Sequence, residues 1–344
     1  MRIMSSHFSR REFIDGAGAL AASSIFPAAA FHDLTSAHAS EPLKPEELRN
    51  KLRGVIAFPI TPLMPDLSLD IPGLRKNLQR LLETPIAAIV AAGGTGEMYS
   101  LTPAEHLAVV RATAEEVHGR IPVIAGTGFN TPIAIELAQQ SARAGADAIL
   151  ALPPYYPNAD EEGLANYYAE IGRATSLGLL VYSRDWVNPS PAWVEQLAAR
   201  VPTLACWKDG QGDLRRYQQI INRVGDRLHW IGGAGDDCVP GYYSIGIRAY
   251  TSSIATVAPK LSLKLHETAS AGDSAALMRL MNTYVLPLYE LRARRKGYEV
   301  SVMKEMMNVL GFAAGPVRPP LPHLRPEDAD QVKVIVEQWK PFLS

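Results

Sequence analysis

From position 53 onward the chain alternates short apolar runs with helix-patterned segments, eight times in about 220 residues. The runs fall at 54–60, 86–92, 122–126, 148–152, 179–182, 204–208, 228–231 and 249–252. A continuous apolar run without polar alternation marks a strand covered on both faces. The segments between them read as helices. Leu74, Leu78, Leu81 and Leu82 share one helical face. Thr102, Pro103 and Glu105 form a helix start with a capping box. Thr131-Pro132 opens the next helix and Gly145 closes it. Further helices are expected at 162–174, 191–200, 214–224, 238–245 and 260–270. Parallel neighbours need a crossover, which a helix supplies, and a count of eight closes a ring. The expected fold is therefore α/β, a (β/α)8 TIM barrel. An open doubly wound sheet is the alternative, but the first turn, Gly93-Gly94-Thr95-Gly96, lacks GxGxxG spacing. Helices at 277–295, 300–310 and 326–339 follow, with a proline-rich turn at 316–322. No linker sets them apart, so 40–344 reads as a single barrel domain with a C-terminal helical extension from about 275.

The first 39 residues are of another kind. Ser9-Arg10-Arg11-Glu12-Phe13-Ile14 precedes an alanine-rich, weakly apolar stretch, and Ser36-Ala37-His38-Ala39 has the small-x-small pattern of a cleavage site. This resembles a twin-arginine signal peptide, implying a periplasmic or secreted protein, or a cytoplasmic one if the signal is not used. A net charge of −1 gives no basic stripe for nucleic acid. Apolar runs after position 40 are too short and too interrupted for a membrane span. Cys206 and Cys238 make at most one bridge, and two free buried thiols are expected.

In a barrel of this kind the active site lies at the C-terminal strand ends. Those ends carry Thr61, Gly93-Gly94-Thr95-Gly96-Glu97, Tyr155-Tyr156, Tyr182-Ser183-Arg184-Asp185, Lys208 and Thr251-Ser252. Lys208 ends the run Leu204-Ala205-Cys206-Trp207. Burial there costs free energy unless the amine has a partner or a lowered pKa. Such an amine attacks ketones; a lysine whose head reaches solvent is the other reading. The Gly94, Thr95 and Gly96 amides, with the Thr95 hydroxyl, offer a carboxylate site or merely a tight turn. Tyr182 is a candidate proton relay or a core tyrosine, and Arg184 a carboxylate clamp or a surface ion pair. The histidines lack HxH or HExxH spacing, and Asp236-Asp237 with Cys238 lacks metal-ligand spacing. No P-loop is present, so chemistry without metal or organic cofactor is expected.

These strand ends resemble the dihydrodipicolinate synthase / N-acetylneuraminate lyase superfamily from about Gly54 to the C-terminal helices. Gly93-Gly94-Thr95-Gly96-Glu97 is similar to its GxTGE signature, Tyr182 to its strand-five tyrosine and Lys208 to its strand-six Schiff-base lysine. Within it, Pro153-Pro154-Tyr155, Tyr182-Ser183-Arg184-Asp185 and Lys208-Asp209-Gly210-Gln211-Gly212-Asp213 are most like the 5-dehydro-4-deoxyglucarate dehydratase branch. So are Gly297-Tyr298-Glu299-Val300-Ser301 and Gly315-Pro316-Val317-Arg318. The resemblance implies a lyase acting on a small-molecule 2-keto acid through a covalent imine on Lys208. Water and then CO2 would leave a 2-keto-3-deoxy sugar acid to give 2,5-dioxopentanoate. An aldolase or synthase using pyruvate shares the imine; an exported sugar-acid binding protein would need neither Lys208 nor Tyr182. Gly94 stands where the synthase branch has a threonine of its proton relay, which speaks against lysine biosynthesis. Trp186 stands where the dehydratase branch usually has asparagine. Tyr156 matches a synthase tyrosine that enters a neighbouring subunit's site, and the resemblance implies a homodimer or homotetramer.

Overall fold

Eight parallel strands close a barrel in chain order. They are β1 (Gly54–Ala57), β2 (Ala88–Ala91), β3 (Val123–Phe129), β4 (Ala148–Pro154), β5 (Gly178–Ser183), β6 (Leu204–Asp209), β7 (His229–Gly232) and β8 (Ala249–Ser252). β1 pairs with both β2 and β8, so no edge is left. This computed structural model describes residues 43–343; the export-signal reading of 1–39 lies outside them. A short helix, α1 (Pro45–Lys51), precedes the barrel. The crossovers are α2 (Ile71–Leu82), α3 (Pro103–Val117), α4 (Thr131–Arg143), α5 (Glu161–Ala174), α6 (Pro191–Arg200), α7 (Leu214–Val224) and α8 (Val239–Ser244), and α9 (Pro259–Ser270) follows β8.

Strand side chains alternate between two apolar layers, which is why the strands read as unbroken hydrophobic runs. Ile56, Ile124, Leu150, Leu180 and Cys206 fill the barrel, while Val55, Ile89, Val181 and Trp207 pack outward under the helices. The helix starts follow local chemistry. Thr102 makes the capping box with Glu105, and the Asn130, Asp160 and Ser190 side chains accept N–H bonds at three later starts.

Helix α1 was not expected from the hydrophobic pattern. Its Leu48, with Leu52 just beyond, is fully buried in the inner layer. A Cβ on Gly178 would fall 2.5 Å from Leu48 Cδ2, so a side chain there would displace Leu48. Arg49 donates to the carbonyls of Asp226 (3.0 Å) and Arg227 (2.8 Å). This helix covers the N-terminal end of the barrel and leaves chemistry to the other end.

The C-terminal extension corrects one expectation. The single helix over 277–295 is divided into α10 (Ser274–Leu280), a π turn (Met281–Val285) and α11 (Leu286–Ala293). Pro287 explains the division: it has no N–H to donate, and its ring crowds the carbonyl one turn back, so the helix widens. α12 (Tyr298–Val309), α13 (Pro326–Trp339) and a 3-10 turn (Lys340–Phe342) follow. They are tied in by Trp339 Nε1 donating to Tyr284 O (3.0 Å) and by Asp328 accepting from Arg294 (2.8 Å) and Tyr298 (2.8 Å). Cys206 and Cys238 are both free, though Cys238 is only half-buried. Among the described residues, no helix is long and apolar enough to cross a membrane.

Candidate active site

Tyr182 and Lys208 are direct register partners on β5 and β6, so both project into the barrel mouth. Lys208 is 3% exposed. Its Nζ lies 3.0 Å from the Tyr182 ring centroid and donates to the Gly233 carbonyl (3.2 Å). Tyr182 Oη donates to the same carbonyl (3.0 Å). The approach requires glycine on both flanks: a Cβ on Gly233 would fall 2.5 Å from Lys208 Cγ, and one on Gly210 2.5 Å from Tyr182 Cε2. Burial, then the positive charge of Arg184, pushes the Lys208 pKa well below the usual amine value, and Asp209 opposes this only in part. Asp209 points outward, as the next residue on a strand must, and accepts from Tyr242 Oη (2.7 Å). Burial also raises the Tyr182 pKa, so its hydroxyl keeps its proton at neutral pH. Burial thus disfavours the charged form of both groups, the ammonium of Lys208 and the phenolate of Tyr182.

A cavity of about 770 Å³ opens above this pair. Gly94, Thr95, Tyr155, Arg184 and Thr251 line it together with Lys208 and Tyr182, as the strand-end reading expected. Arg184 is less remote than expected: its guanidinium lies 5.4 Å from the Tyr182 ring centroid, bonds Asp185 (2.9 Å), and would stand 3.7 Å from a Cβ on Gly94.

Four expected site residues stand behind or outside the wall. Thr61 is buried and its hydroxyl donates to Gly96 O (2.7 Å), so Thr61 and Gly96 brace the glycine turn from behind. Ser252 is fully buried; it donates to the Asp236 carboxylate, bonds Ser262 Oγ (2.8 Å) and accepts from Ala255 N (3.0 Å). Its neighbour Thr251 takes the cavity side because the strand alternates. Tyr156 is exposed and meets Tyr155 edge-on, with centroids 6.3 Å apart.

Several cavity residues were not singled out as site residues in the sequence. Asp236, in the loop after β7, lines the cavity with its backbone N–H donating to Tyr289 Oη (2.6 Å), which in turn donates to Asp236 Oδ2 (3.1 Å). Burial pushes the Asp236 carboxyl up to about 6, against the hydrogen bond from Ser252 and the charge of Arg292. Tyr289 and Arg292 come from α11, just past the π turn, and Glu299 from α12. The position of Asp236 after a strand was a usable signal; nothing local marks which face of a late helix roofs the barrel. Among the described residues, no group of three or more His, Cys, Asp or Glu side chains could hold a metal.

A cavity at the C-terminal end of a (β/α)8 barrel is where enzymes of this architecture carry their chemistry, so fold and site define an enzyme. The model of the dihydrodipicolinate synthetase family matches residues 51–339, and the chain belongs to that family. It is a lyase. The chain is 40% identical over 295 residues (85% of its length, 95% of the relative's) to the probable 5-dehydro-4-deoxyglucarate dehydratase of Ralstonia nicotianae. It is 36% identical over 305 residues (88% and 97%) to the protein of that name from Bradyrhizobium diazoefficiens. Among solved structures it is similar to the dihydrodipicolinate synthase of Bacillus clausii, with a TM-score of 0.81 and 30% identity over 85% of this chain and 99% of that one.

Proposed function

We propose that this protein is a Schiff-base lyase that dehydrates and decarboxylates a 2-keto-3-deoxy sugar acid carrying a carboxylate at each end. The substrate named for its relatives, 5-dehydro-4-deoxyglucarate, fits this description. The carrying observation is the contrast between two buried lysines. Lys304 is ion-paired with Glu97 at 2.6 Å, whereas Lys208 has a carbonyl and a ring face and makes no ion pair among the described residues. A buried ammonium without a counter-ion is unfavourable, so Lys208 rests as the free amine that attacks a ketone.

In this mechanism Lys208 Nζ adds to the ketone carbon, and the oxygen leaves as water to form the iminium. The iminium acidifies the adjacent carbon. A proton leaves there and the next hydroxyl departs as water, giving a conjugated iminium. The distal carboxylate is then lost as CO2, its bonding electrons flowing to nitrogen. Reprotonation of carbon and hydrolysis of the imine release 2,5-dioxopentanoate and the lysine. Overall the dianion takes up one proton and yields a monoanion, water and CO2. Tyr182 carries protons to and from the oxygens, and the turn around Thr95 holds the carboxylate beside the ketone. No other cofactor is invoked.

Turnover of a panel of 2-keto-3-deoxy acids, read as CO2 and semialdehyde release, tests the proposal. A dicarboxylate should be turned over and pyruvate should not. The likeness to dihydrodipicolinate synthases favours carbon–carbon bond formation at the same imine as the second reading. A condensation product from pyruvate and an aldehyde, with no CO2 from any keto-deoxy acid, would establish it instead.

Arg184 reads the distal end of the substrate in this proposal and also depresses the Lys208 pKa. Arg184→Ala should weaken use of a keto-deoxy dicarboxylate about tenfold or more, roughly 1.4 kcal/mol. Without the neighbouring cation the Lys208 ammonium is less disfavoured, so its pKa rises and the acid limb of the pH–rate profile moves up. Equal losses for pyruvate trapping and dicarboxylate turnover, with an unmoved limb, would show Arg184 to be structural.

We propose in addition that the protein is exported through the twin-arginine motif. Replacing Arg10 and Arg11 with lysine should retain it in the cytoplasm, as read by cell fractionation. Unchanged distribution would make the segment a tail.

A further inference from the structure

The second buried lysine bears on the same site from outside it. Lys304, on α12, is 2% exposed; its Nζ meets Glu97 Oε1 at 2.6 Å and donates to Pro316 O (2.7 Å). The other Glu97 oxygen accepts from Arg318 N–H (3.0 Å). Arg318 then clamps Glu105 (2.9 and 2.5 Å), Ser100 O (2.8 Å) and Leu67 O (2.6 Å). Glu97 immediately follows Gly96 and so ends the turn that presents Thr95 to the cavity. The turn is unfavourable on its own: Ala92 just before it and Glu97 at its end both have left-handed backbones, φ 47° and 57°. Side-chain-bearing residues hold such angles only where their surroundings impose them. The braces are Thr61 on Gly96 O and Lys304 with Arg318 N–H on the Glu97 carboxylate.

We propose that Lys304 is a positioning residue: through its ion pair with Glu97 it holds the 93–97 turn in the shape that binds the substrate carboxylate. The C-terminal extension thereby sets the carboxylate affinity of a site built on β2. The inference rests on the reading of this turn as the carboxylate holder. A buried ion pair is weak evidence of stabilisation in itself, since an apolar pair of similar volume often serves as well. Its retention beside a strained turn points to geometry.

Lys304→Met, Glu97→Gln and the double variant test this by calorimetric binding of 2-hydroxyglutarate, whose alcohol cannot form an imine. Borohydride trapping of hydroxyacetone, a ketone without a carboxylate, is measured alongside. Lys304→Met should weaken 2-hydroxyglutarate about tenfold or more while leaving hydroxyacetone trapping unchanged. The double variant, which buries no charge, should recover the melting temperature of the parent but not its affinity. If affinity returns with the melting temperature, or if the variants bind 2-hydroxyglutarate like the parent, Lys304 is merely structural and the proposal is overturned. A parent that binds 2-hydroxyglutarate only without dependence on Thr95, tested with Thr95→Val, overturns the carboxylate-turn reading and this proposal with it. A parent that fails to trap hydroxyacetone counts against the imine alone, and the calorimetric affinities still decide the role of Lys304.

Discussion

Lys208→Ala should abolish borohydride-trapped adduct formation with pyruvate or any keto-deoxy acid, and should lower turnover by roughly four to six orders of magnitude, the loss typical of a deleted nucleophile. Mass spectrometry of the reduced wild-type protein should place the added mass on the peptide containing Lys208. The proposed role needs an amine that is readily deprotonated, and burial and the Arg184 charge both disfavour protonation of Lys208. The opposite expectation holds for stability. An amine buried against Tyr182 and Phe58 gives up its solvation without gaining an ion pair among the described residues, so Lys208→Met, of similar volume, should keep or raise the melting temperature. Adduct on another lysine, or none with any carbonyl compound, sinks the imine mechanism.

Tyr182→Phe should slow turnover by about two to four orders of magnitude, the usual value of a positioned proton donor and acceptor. The ring remains to pack against Lys208, so the fold and the lysine's surroundings persist. What is lost is the hydroxyl that shares the Gly233 carbonyl with Lys208. Because burial holds the phenol protonated, the loss should appear in kcat across the neutral range. Near-normal turnover would make Tyr182 only a wall of the cavity.

Much of this arrangement was legible in the chain. Strand positions came from apolar runs, and their ends from the glycine, tyrosine and lysine that stop them. Which face each side chain takes was not read from the chain; in the structure the period of two puts Tyr182 and Lys208 on the inner face with Leu180 and Cys206. The same alternation separated Thr251 from Ser252 and Lys208 from Asp209. Applied at β8, it would have removed Ser252 from the expected site, so that error was avoidable. Helix α1 was missed because seven residues carry too little periodicity, and the interruption at Pro287 because helical patterning on either side outweighed one residue.

By itself, then, the sequence determined the barrel and the placing of the amine, phenol and glycine turn at its strand ends, because strand runs, helix capping and turn chemistry act between near neighbours in the chain. Tertiary structure alone decided that Thr61 braces the turn from behind, that Asp236, Tyr289 and Arg292 share the cavity wall, and that Lys304 meets Glu97. Those contacts join residues far apart in the chain, and no local pattern encodes them. Barrel closure and the docking of the C-terminal helices bring them together, and burial then sets the two lysines apart: it disfavours the charge on Lys208, while Lys304 meets the Glu97 carboxylate.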